Sequence, residues 1–550
     1  MPRKWRVFPS LALAIFGAAL ALYTASARPT TALGGLAPSI VEGLVVDEQG
    51  IPVAGATVRV QATSNSTISG PNGAFTLSGL AEGVTVTISA WKEAYYCAKV
   101  EGVTPPTSGI TLTLRLYQTN DNPDYEWIPP TGVNSCYSCK SGVTDVWLNN
   151  DIHARSGTNP RFFSLYNGSD ITSTAVISPG YKLDFPGTAG NCASCHAPGA
   201  AMDAPFTTDM NLLTGVARDF GVHCDFCHKV ADVYLNPVTG LPYPNAPGVI
   251  SMDIRRPFPA SPRYQLFFGT FDDDNVPLED TNLPLIKKSQ WCAACHQFSF
   301  WGTPIYQSFN EWLESPYPQN GIECQTCHMP SDGVMTNVAP GMGGVERDPL
   351  TIHAHTMPGA ASEALLQNTV SMSVTAQAIG DTVVVSVTLK NVGAGHHVPT
   401  DHPGRHLILT VSAVDGSSLP LPQTGGDTVP EWGGVQAGLP GKIFAKVLRD
   451  AITGEYPVVS YWKQTFILSD NRIPAMSSDT SVYQFTAPPG GGEITISIAL
   501  LFRRNLQAEL DVRGWDTPDI LMQEAQIVLP VQAYFQVFLP IINTGSYFPP

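Results

Sequence analysis

Apolar and polar positions alternate with a period of two in two long stretches of the chain. The first covers residues 38–117, where runs such as VEGLVVD and VTVTISAW are separated by turns rich in Gly and Pro. The second begins near Asn368 and includes TVVVSVTLKN and EITISIALLF. Because successive side chains of a strand point to opposite faces, this alternation predicts half-buried strands. We therefore predict a small β-sandwich over 38–117 and a larger β-sandwich over 365–540.

The turns of the first stretch carry a more specific signal. The segment GLVVDEQGIPVAGATVRV, followed by GPNGAFTLSGLAEG, resembles the carboxypeptidase regulatory-like domain in the positions of its glycines. This resemblance implies an accessory β-sandwich over 38–117. It brings no catalytic residues with it.

The first 27 residues have the order of a secretory signal peptide. Positive charges at Arg3, Lys4 and Arg6 precede the apolar run FPSLALAIFGAALALY, and the small residues ASA end at Ala27. The run is shorter than the ~20 residues that a spanning helix requires. We predict a signal peptide over 1–27 that is cleaved after Ala27. The mature protein is then expected to be extracytoplasmic (periplasmic, cell-surface or secreted) and not integral to the membrane.

Composition and charge narrow the range of partners. A chain of 550 residues is too long for one core, so three or so domains are expected. The chain has 30 Lys and Arg against 46 Asp and Glu, a formal net charge of −16. This balance disfavours nucleic acid and anionic membrane surfaces as partners. A redox partner protein, preferably basic, would suit it.

Ten of the eleven cysteines form five C-x-x-C pairs, and the next residue is His in four pairs and Lys in one. In the c-type haem signature, both thiols bond to one porphyrin and the following His ligates its iron. A disulfide, a zinc half-site or a thioredoxin-like pair would not account for the repeated His. We predict haem c at all five pairs, with the complete signature at four. The predicted attachment sites are Cys136, Cys139, Cys192, Cys195, Cys224, Cys227, Cys292, Cys295, Cys324 and Cys327. The predicted proximal iron ligands are Lys140, His196, His228, His296 and His328.

The five motifs lie close together in the sequence. All occur between Cys136 and His328, inside a multihaem cytochrome domain predicted over 126–360 with mainly helical and irregular structure. Each motif then has less than the ~50 residues from which the smallest single-core domains are built. The haems must therefore pack against one another. Electron transfer along closely packed haems is the function that we infer from the sequence.

Haems with six ligands need a second side chain on the iron. The histidines outside the motifs are His153, His223, His353, His355, His396, His397, His402 and His406. His223 directly precedes Cys224, so it could reach only the iron of a neighbouring haem.

The haem segment also resembles a known family. CDFCHKVAD and SQWCAACHQFSFWGTPIYQSFNEWLESPYPQNGIECQTCHMP are similar to the multihaem c-type cytochromes that include the tetrahaem electron-acceptor partner of hydroxylamine oxidoreductase. The segments VWLNNDIHARSG, IHAHTMPG and GAGHHVPT resemble ligand segments of that family. The resemblance implies distal ligands at His153, His355 and His396. His402 and His406 are expected on the surface or in a core.

Lys140 stands where the other motifs have His. One C-x-x-C-K followed by four C-x-x-C-H is similar to the ammonia-forming pentahaem cytochrome c nitrite reductases, in which the lysine binds a five-coordinate haem whose open face reduces nitrite. This resemblance implies an alternative function, reduction of nitrite or another small oxyanion at the Lys140 haem. That family has a His shortly before the fourth motif, whereas no His occurs here between His228 and Cys292. That family also has Tyr and Arg above the open iron. The residues of these types in this part of the chain are Tyr234, Tyr243, Tyr264, Arg255, Arg256 and Arg263.

Two weaker signals remain. The paired sandwiches leave open a third function, a surface-adhesion protein that carries haems. The run FDDDN at 271–275 offers three carboxylates, but it lacks the glycine and the spacing of a calcium loop. We expect a solvated turn there.

Overall fold

The computed structural model describes residues 38–260, 265–273, 275–276 and 279–533. The predicted signal peptide and the last residues of the predicted carboxy-terminal domain, 534–540, lie outside the described residues. Within those ranges, no helix combines the length and the apolar character needed to cross a membrane.

The amino-terminal domain consists of two facing sheets. Its strands are β1 (Pro38–Asp47), β2 (Thr57–Val60), β3 (Ser66–Ile68), β4 (Ala74–Ala81), β5 (Val86–Trp91), β6 (Ala98–Val103) and β7 (Thr107–Leu114). One sheet has the order β4-β1-β7 and the other β3-β2-β5-β6. Val41 and Leu112 of the first sheet share a buried core with Val58 and Ile88 of the second. The alternating pattern of the sequence therefore places one face of each sheet in this core.

The central segment mixes short helices with short strands. Its helices are α1 (Tyr137–Asn150), α2 (Pro160–Asn167), α3 (Tyr181–Asp184), α4 (Ala193–His196), α5 (Pro198–Ala201), α6 (Gly215–Asp219), α7 (Cys224–Cys227), α8 (Gln290–His296), α9 (Ser308–Leu313) and α10 (Cys324–His328). Its strands are β8 (Val230–Val233), β9 (Met252–Ile254), β10 (Phe267–Gly269), β11 (Asp280–Asn282), β12 (Phe298–Phe300) and β13 (Thr303–Tyr306). The strands pair as β8 with β9, β10 with β11 and β12 with β13. The sequence predicted helices and irregular structure here, and it did not predict these strand pairs.

The carboxy-terminal domain is again built from two sheets. Its elements are α11 (Glu363–Gln367), β14 (Val370–Ile379), β15 (Thr382–Asn391), β16 (His406–Asp415), β17 (Gln423–Gly425), β18 (Gly441–Asp450), β19 (Thr465–Asp470), β20 (Ser478–Thr486), β21 (Gly492–Arg503), α12 (Gln507–Arg513) and β22 (Ile520–Val531). The sheet orders are β14-β15-β20-β17 and β19-β18-β16-β21-β22. Val385 and Tyr483 of the first sheet pack in one core with Leu409 and Ile496 of the second. The prediction of a strand-rich domain at each end of the chain is confirmed.

The loop 392–405, between β15 and β16, joins the carboxy-terminal domain to the central segment. Asp401 accepts hydrogen bonds from the backbone N–H groups of Gln307 (3.0 Å) and Ser308 (3.2 Å). Arg472 donates to the carboxylate of Glu311 on α9 at 2.7 Å, and both side chains of this pair are buried. This loop carries three of the histidines that the sequence analysis singled out. Their positions against the central segment are therefore fixed by the second sandwich.

Candidate haem cavity

A continuous cavity of about 1610 Å³ runs through the central segment and reaches the loop 392–405. All ten motif cysteines line it, as do all five predicted proximal ligands. The predicted distal ligands His153, His355 and His396 line it as well. Residues that are far apart in the sequence thus converge on one interior space. In the described part of the chain, no group of three or more His, Cys, Asp or Glu side chains is arranged to hold a bare metal ion.

Each C-x-x-C motif forms a helical turn that directs its side chains into the cavity. The backbone N–H of His196 donates to the carbonyl of Cys192 at 3.0 Å, and the N–H of His228 donates to the carbonyl of Cys224 at 3.0 Å. A turn of this kind puts the first cysteine, the second cysteine and the ligand on one face, because side chains three and four positions apart are neighbours. In α1 the turn is distorted at Lys140, whose backbone has φ −124° and ψ 45°.

Three of the four motif histidines face a second imidazole across the cavity. The distances between ring centroids are 6.3 Å for His296 with His153, 6.3 Å for His228 with His355, and 6.5 Å for His328 with His396. Two imidazole–metal bonds of about 2 Å, together with the distance from each nitrogen to its ring centre, require about 6 Å between ring centres. The three pairs therefore fit one metal ion between each two rings.

Hydrogen bonds at the other ring nitrogen suit these histidines to bind iron. Nδ1 of His228 lies 2.6 Å from the carbonyl oxygen of Phe268, and Nδ1 of His328 lies 2.7 Å from that of Pro358. Nδ1 of His396 similarly bonds to the carbonyl of His397 at 2.8 Å. A carbonyl oxygen can only accept, so Nδ1 carries the proton and Nε2 keeps its lone pair. Ligating histidines ordinarily show this arrangement.

Carboxylates take the place of carbonyls at the remaining facing pair. Nδ1 of His153 lies 2.8 Å from the carboxylate of Asp151, and Nδ1 of His296 lies 3.3 Å from that of Asp401. Asp151 is 1% exposed and Asp401 is 7% exposed. A buried carboxylate behind an imidazole fixes its orientation and raises the basicity of Nε2.

The other histidines have different surroundings. His223 accepts a hydrogen bond at Nδ1 from the backbone N–H of Phe226 (3.3 Å), which caps α7, and it does not line the cavity. His406 is buried against Trp432, also away from the cavity. His353 lines the cavity, but its Nδ1 bonds to the carbonyl of Met329 and its ring faces no second imidazole among the described residues. His402 was expected on the surface or in a core. It lines the cavity instead.

Contacts between cysteines of different motifs define which motifs are neighbours. The thiols that lie within hydrogen-bonding contact are Cys136 with Cys224, Cys195 with Cys295, and Cys292 with Cys324. The first contact joins the Lys140 motif to the His228 motif. The other two join the His296 motif to the motifs of His196 and His328. Groups attached to these sulfurs would therefore be packed against each other.

Lys140 has few of the neighbours that the reductase alternative requires. Asp280 lies within electrostatic range of it; burial raises the pKa of the Asp280 carboxyl to about 6, and the charge of Lys140 opposes that rise. None of the described Tyr and Arg candidates lines the cavity, namely Tyr234, Tyr243, Arg255 and Arg256. Arg256 is 3% exposed and pairs with Asp121 and Asp203 instead. Tyr264 and Arg263 lie outside the described residues.

The FDDDN run is not a solvated turn. Asp273 is 1% exposed, pairs with Arg347 at 2.7 Å and accepts the backbone N–H of Ala62 at 2.7 Å. Asp272 pairs with Arg59 of the amino-terminal domain. These carboxylates attach the amino-terminal domain to the central segment, and Asp274 lies outside the described residues.

A set of polar side chains in the cavity had no counterpart among the sequence predictions. Tyr306, His402, Arg405 and Tyr461, called the polar cluster below, all line the cavity. The hydroxyl of Tyr306 donates to that of Tyr461 at 3.0 Å, and the rings of His402 and Tyr461 lie 5.7 Å apart. Two of the four residues come from the His-rich segment GAGHHVPTDHPGRH. Nothing in the sequence around Tyr461 or Tyr306 marks them as cavity residues.

Comparisons with known proteins agree with this architecture. Residues 40–116 match the family model of the carboxypeptidase regulatory-like domain, so the chain has such a domain at its amino-terminal end. The crystal structure of a penta-heme cytochrome c552 from Thermochromatium tepidum is similar over 74% of this chain and 100% of that chain, with a TM-score of 0.52 and 20% sequence identity. At that identity the likeness is one of fold.

Other matches are much more limited. A cohesin–X-dockerin complex structure from Acetivibrio cellulolyticus is 22% identical over 15% of this chain and 58% of that chain, with a TM-score of 0.13. No curated protein sequence matches the chain.

Proposed function

We propose that the chain is an exported multihaem c-type cytochrome that carries electrons along closely packed covalent haems. Its architecture would be an amino-terminal β-sandwich, a pentahaem core and a carboxy-terminal β-sandwich. One observation carries the proposal. Three C-x-x-C-H histidines each face a second imidazole at 6.3–6.5 Å in a cavity that all ten motif cysteines line.

Each part of the site has a defined task in this proposal. The cysteine pairs would hold the porphyrins covalently, and the three imidazole pairs would each supply both protein ligands of one iron. Bound haem would supply reversible one-electron chemistry of iron. Two imidazoles leave an iron no free position for a substrate, which suits a carrier better than an enzyme at those three sites. At five of these six rings, the Nδ1 hydrogen bonds described above orient the imidazole so that Nε2 faces the cavity.

The arrangement of motifs supports transfer between sites. Contacts between cysteines make the His296 motif a neighbour of the His196 and His328 motifs, and Cys136 and Cys224 link the remaining two. The proposed partners are redox proteins, since the net charge of −16 disfavours nucleic acid. We place the protein outside the cytoplasm, on the basis of its signal-like first 27 residues.

Haem stoichiometry tests the proposal. The protein is produced with its leader in a host that attaches haem c, and covalent haem is counted by intact mass and by pyridine haemochrome absorbance. We expect five haems, and one fewer after the double change Cys292→Ser/Cys295→Ser. Cys97→Ser is the matched control, because Cys97 is buried but belongs to no motif. A protein without covalent haem, or one with haem that cannot be reduced and reoxidised by small redox reagents, would overturn the proposal.

A further inference from the structure

The His196 motif differs from the other three C-x-x-C-H motifs. All twelve histidines of the chain lie within the described ranges, and none of their rings faces His196 at the 6.3–6.5 Å found in the three pairs. The ring that contacts His196 is Phe162, stacked on its face at 4.2 Å. A metal ligand is approached in the plane of the imidazole ring, so this stacking leaves Nε2 accessible from the cavity. The second axial position of a His196 haem is therefore not matched by a facing imidazole, as those of the other three motifs are.

The polar cluster lies beside this motif. Burial raises the pKa of the Tyr461 hydroxyl to about 12, and the sulfurs of Cys192 and Cys195 add to that rise, so the hydroxyl is within electrostatic range of this cysteine pair. Tyr306 and His402 both contact Tyr461. The next cysteine pair in space belongs to His296, whose axial positions are already matched by His153. The cluster therefore serves the motif that has no imidazole partner.

The side chains of the polar cluster are arranged to donate hydrogen bonds into the cavity. Nδ1 of His402 accepts the backbone N–H of Gly404 at 3.1 Å, so the neutral ring carries its proton on Nε2. This is the reverse of the five facing histidines whose Nδ1 bonds to an oxygen, and it makes His402 a donor rather than an iron ligand. The Tyr461 hydroxyl accepts from Tyr306, which leaves its own proton free to donate.

Positive charge accumulates at the same place. Arg405 donates to the carbonyl of Thr400 at 3.2 Å and forms no ion pair within 4 Å among the described residues. Arg161 and Arg504 also line the cavity, and burial lowers the pKa of Arg504 with help from the charges of Arg161 and Arg405. Asp401 and Asp516 are the carboxylates within electrostatic range; Asp401 bonds to His296, and Asp516 lies near Arg161. The guanidinium groups therefore outnumber their carboxylate partners.

We propose that the axial position of the His196 haem that no histidine faces is a binding site for a small inorganic oxyanion held by Tyr461, His402 and Arg405. The inference rests on the proposed function, because it requires a haem at Cys192 and Cys195. Several converging donors and a guanidinium without a paired carboxylate select an anion with several acceptor oxygens. This site is distinct from the Lys140 haem, for which none of the described Tyr and Arg candidates lines the cavity.

Binding of nitrite to the oxidised holoprotein tests the inference. Electron paramagnetic resonance should show a high-spin ferric haem that nitrite converts to low spin, and an absorbance titration gives the affinity. Tyr461→Phe, His402→Gln and Arg405→Gln should each weaken binding about tenfold or more, because each removes a hydrogen bond to a charged ligand. His406→Gln, a buried histidine outside the cavity, should bind nitrite as the parent does. Asp280→Asn, next to Lys140, should also leave the affinity unchanged.

The outcomes separate this inference from the function on which it rests. A protein without covalent haem contradicts the proposed function itself. Two results overturn the oxyanion site alone: five attached haems that are all low-spin, or nitrite affinities that are equal in the parent and the cluster variants. In either case the arginines would bind the carboxylates of the haems instead. Loss of nitrite binding only in Asp280→Asn would place the open position at the Lys140 haem, and this result would also overturn the oxyanion site at the His196 haem. The thermal unfolding transition of each variant, followed by circular dichroism, shows whether it has folded.

Discussion

The rings of His228 and His355 lie parallel to within 29°, with centroids 6.3 Å apart, although one follows a cysteine pair and the other lies in an irregular segment beyond the last motif. His353, two residues earlier, turns its Nδ1 to the carbonyl of Met329 and faces no such ring in the described structure. Neighbouring histidines of one segment therefore have different surroundings. The resemblance of IHAHTMPG to a ligand segment favoured His355 over His353, and the role of His355 as a ligand stays a prediction.

His355→Ala should open one axial position. The iron of the His228 haem would lose its sixth ligand, so we expect a new high-spin ferric signal and a haem that binds carbon monoxide when reduced. His353→Ala is the matched control and should leave both spectra as in the parent. Equal spectra for the two variants would show that His355 is not a ligand.

The Lys140 motif is expected to carry a haem although it lacks the usual histidine. The double change Cys136→Ser/Cys139→Ser should therefore reduce the covalent haem count from five to four, read from intact mass. The contact between Cys136 and Cys224 adds a second expectation. Removal of the Lys140 haem should change the reduction potential of its neighbour at His228, measured by spectroelectrochemistry. A parent protein with only four haems would contradict the first part.

Lys229 and Asp225 form an ion pair in which both side chains are 0% exposed. Lys229→Met leaves Asp225 without its cation, although the hydrogen bonds from the Tyr125 hydroxyl and the N–H of Ile128 remain. Removal of one partner of a buried pair costs about 3–5 kcal/mol of unfolding free energy. Denaturant unfolding followed at the haem absorbance measures this loss. Lys99→Met breaks a pair whose carboxylate, on Glu101, is 68% exposed, and it should change the midpoint little.

Lys446 makes stability depend on pH. Burial lowers its pKa to about 8, and its ammonium donates to the carbonyls of Pro304 and Ile305. The unfolded chain holds this proton up to about pH 10.4. Between these two values the unfolded state binds more protons than the folded state, so stability rises with pH. Relative to Lys446→Met, the parent should gain stability from pH 8 to pH 10 and show no such trend from pH 6 to pH 7.

Thermal unfolding of both proteins across this range gives the comparison. The same series with Lys442→Met, on the same strand but paired with Asp479, corrects for general effects of pH on the domain. A constant difference between parent and Lys446→Met at every pH would mean that Lys446 does not lose its proton in the folded state.

Local patterns made much of the fold predictable. Alternation marked the strands of both end domains, and the cysteine pairs marked the turns that line the cavity. Such signals are visible because they repeat within a few residues. The boundaries of the predicted domains stay predictions. The six short central strands gave no such signal, because three or four residues are too few to show a period.

Long-range contacts were not visible in the sequence. Asp273 resembled part of a solvated or calcium-binding turn because its partners, Arg347 and the backbone of Ala62, are distant in the chain. The sequence around His402 does not distinguish it from a surface or core histidine. It lines the cavity because the loop 392–405 folds against the central segment. The choice between ligand and donor also depends on which backbone group each ring meets, and no motif encodes that.

The ten motif cysteines all line one interior cavity, and some of their thiols touch across motifs. If they carry haem as proposed, the loop 392–405 covers part of the space in which the porphyrins would lie. This loop follows all five motifs in the chain. Haem attached to the motifs before this loop is in place would then become part of the core against which the carboxy-terminal domain packs.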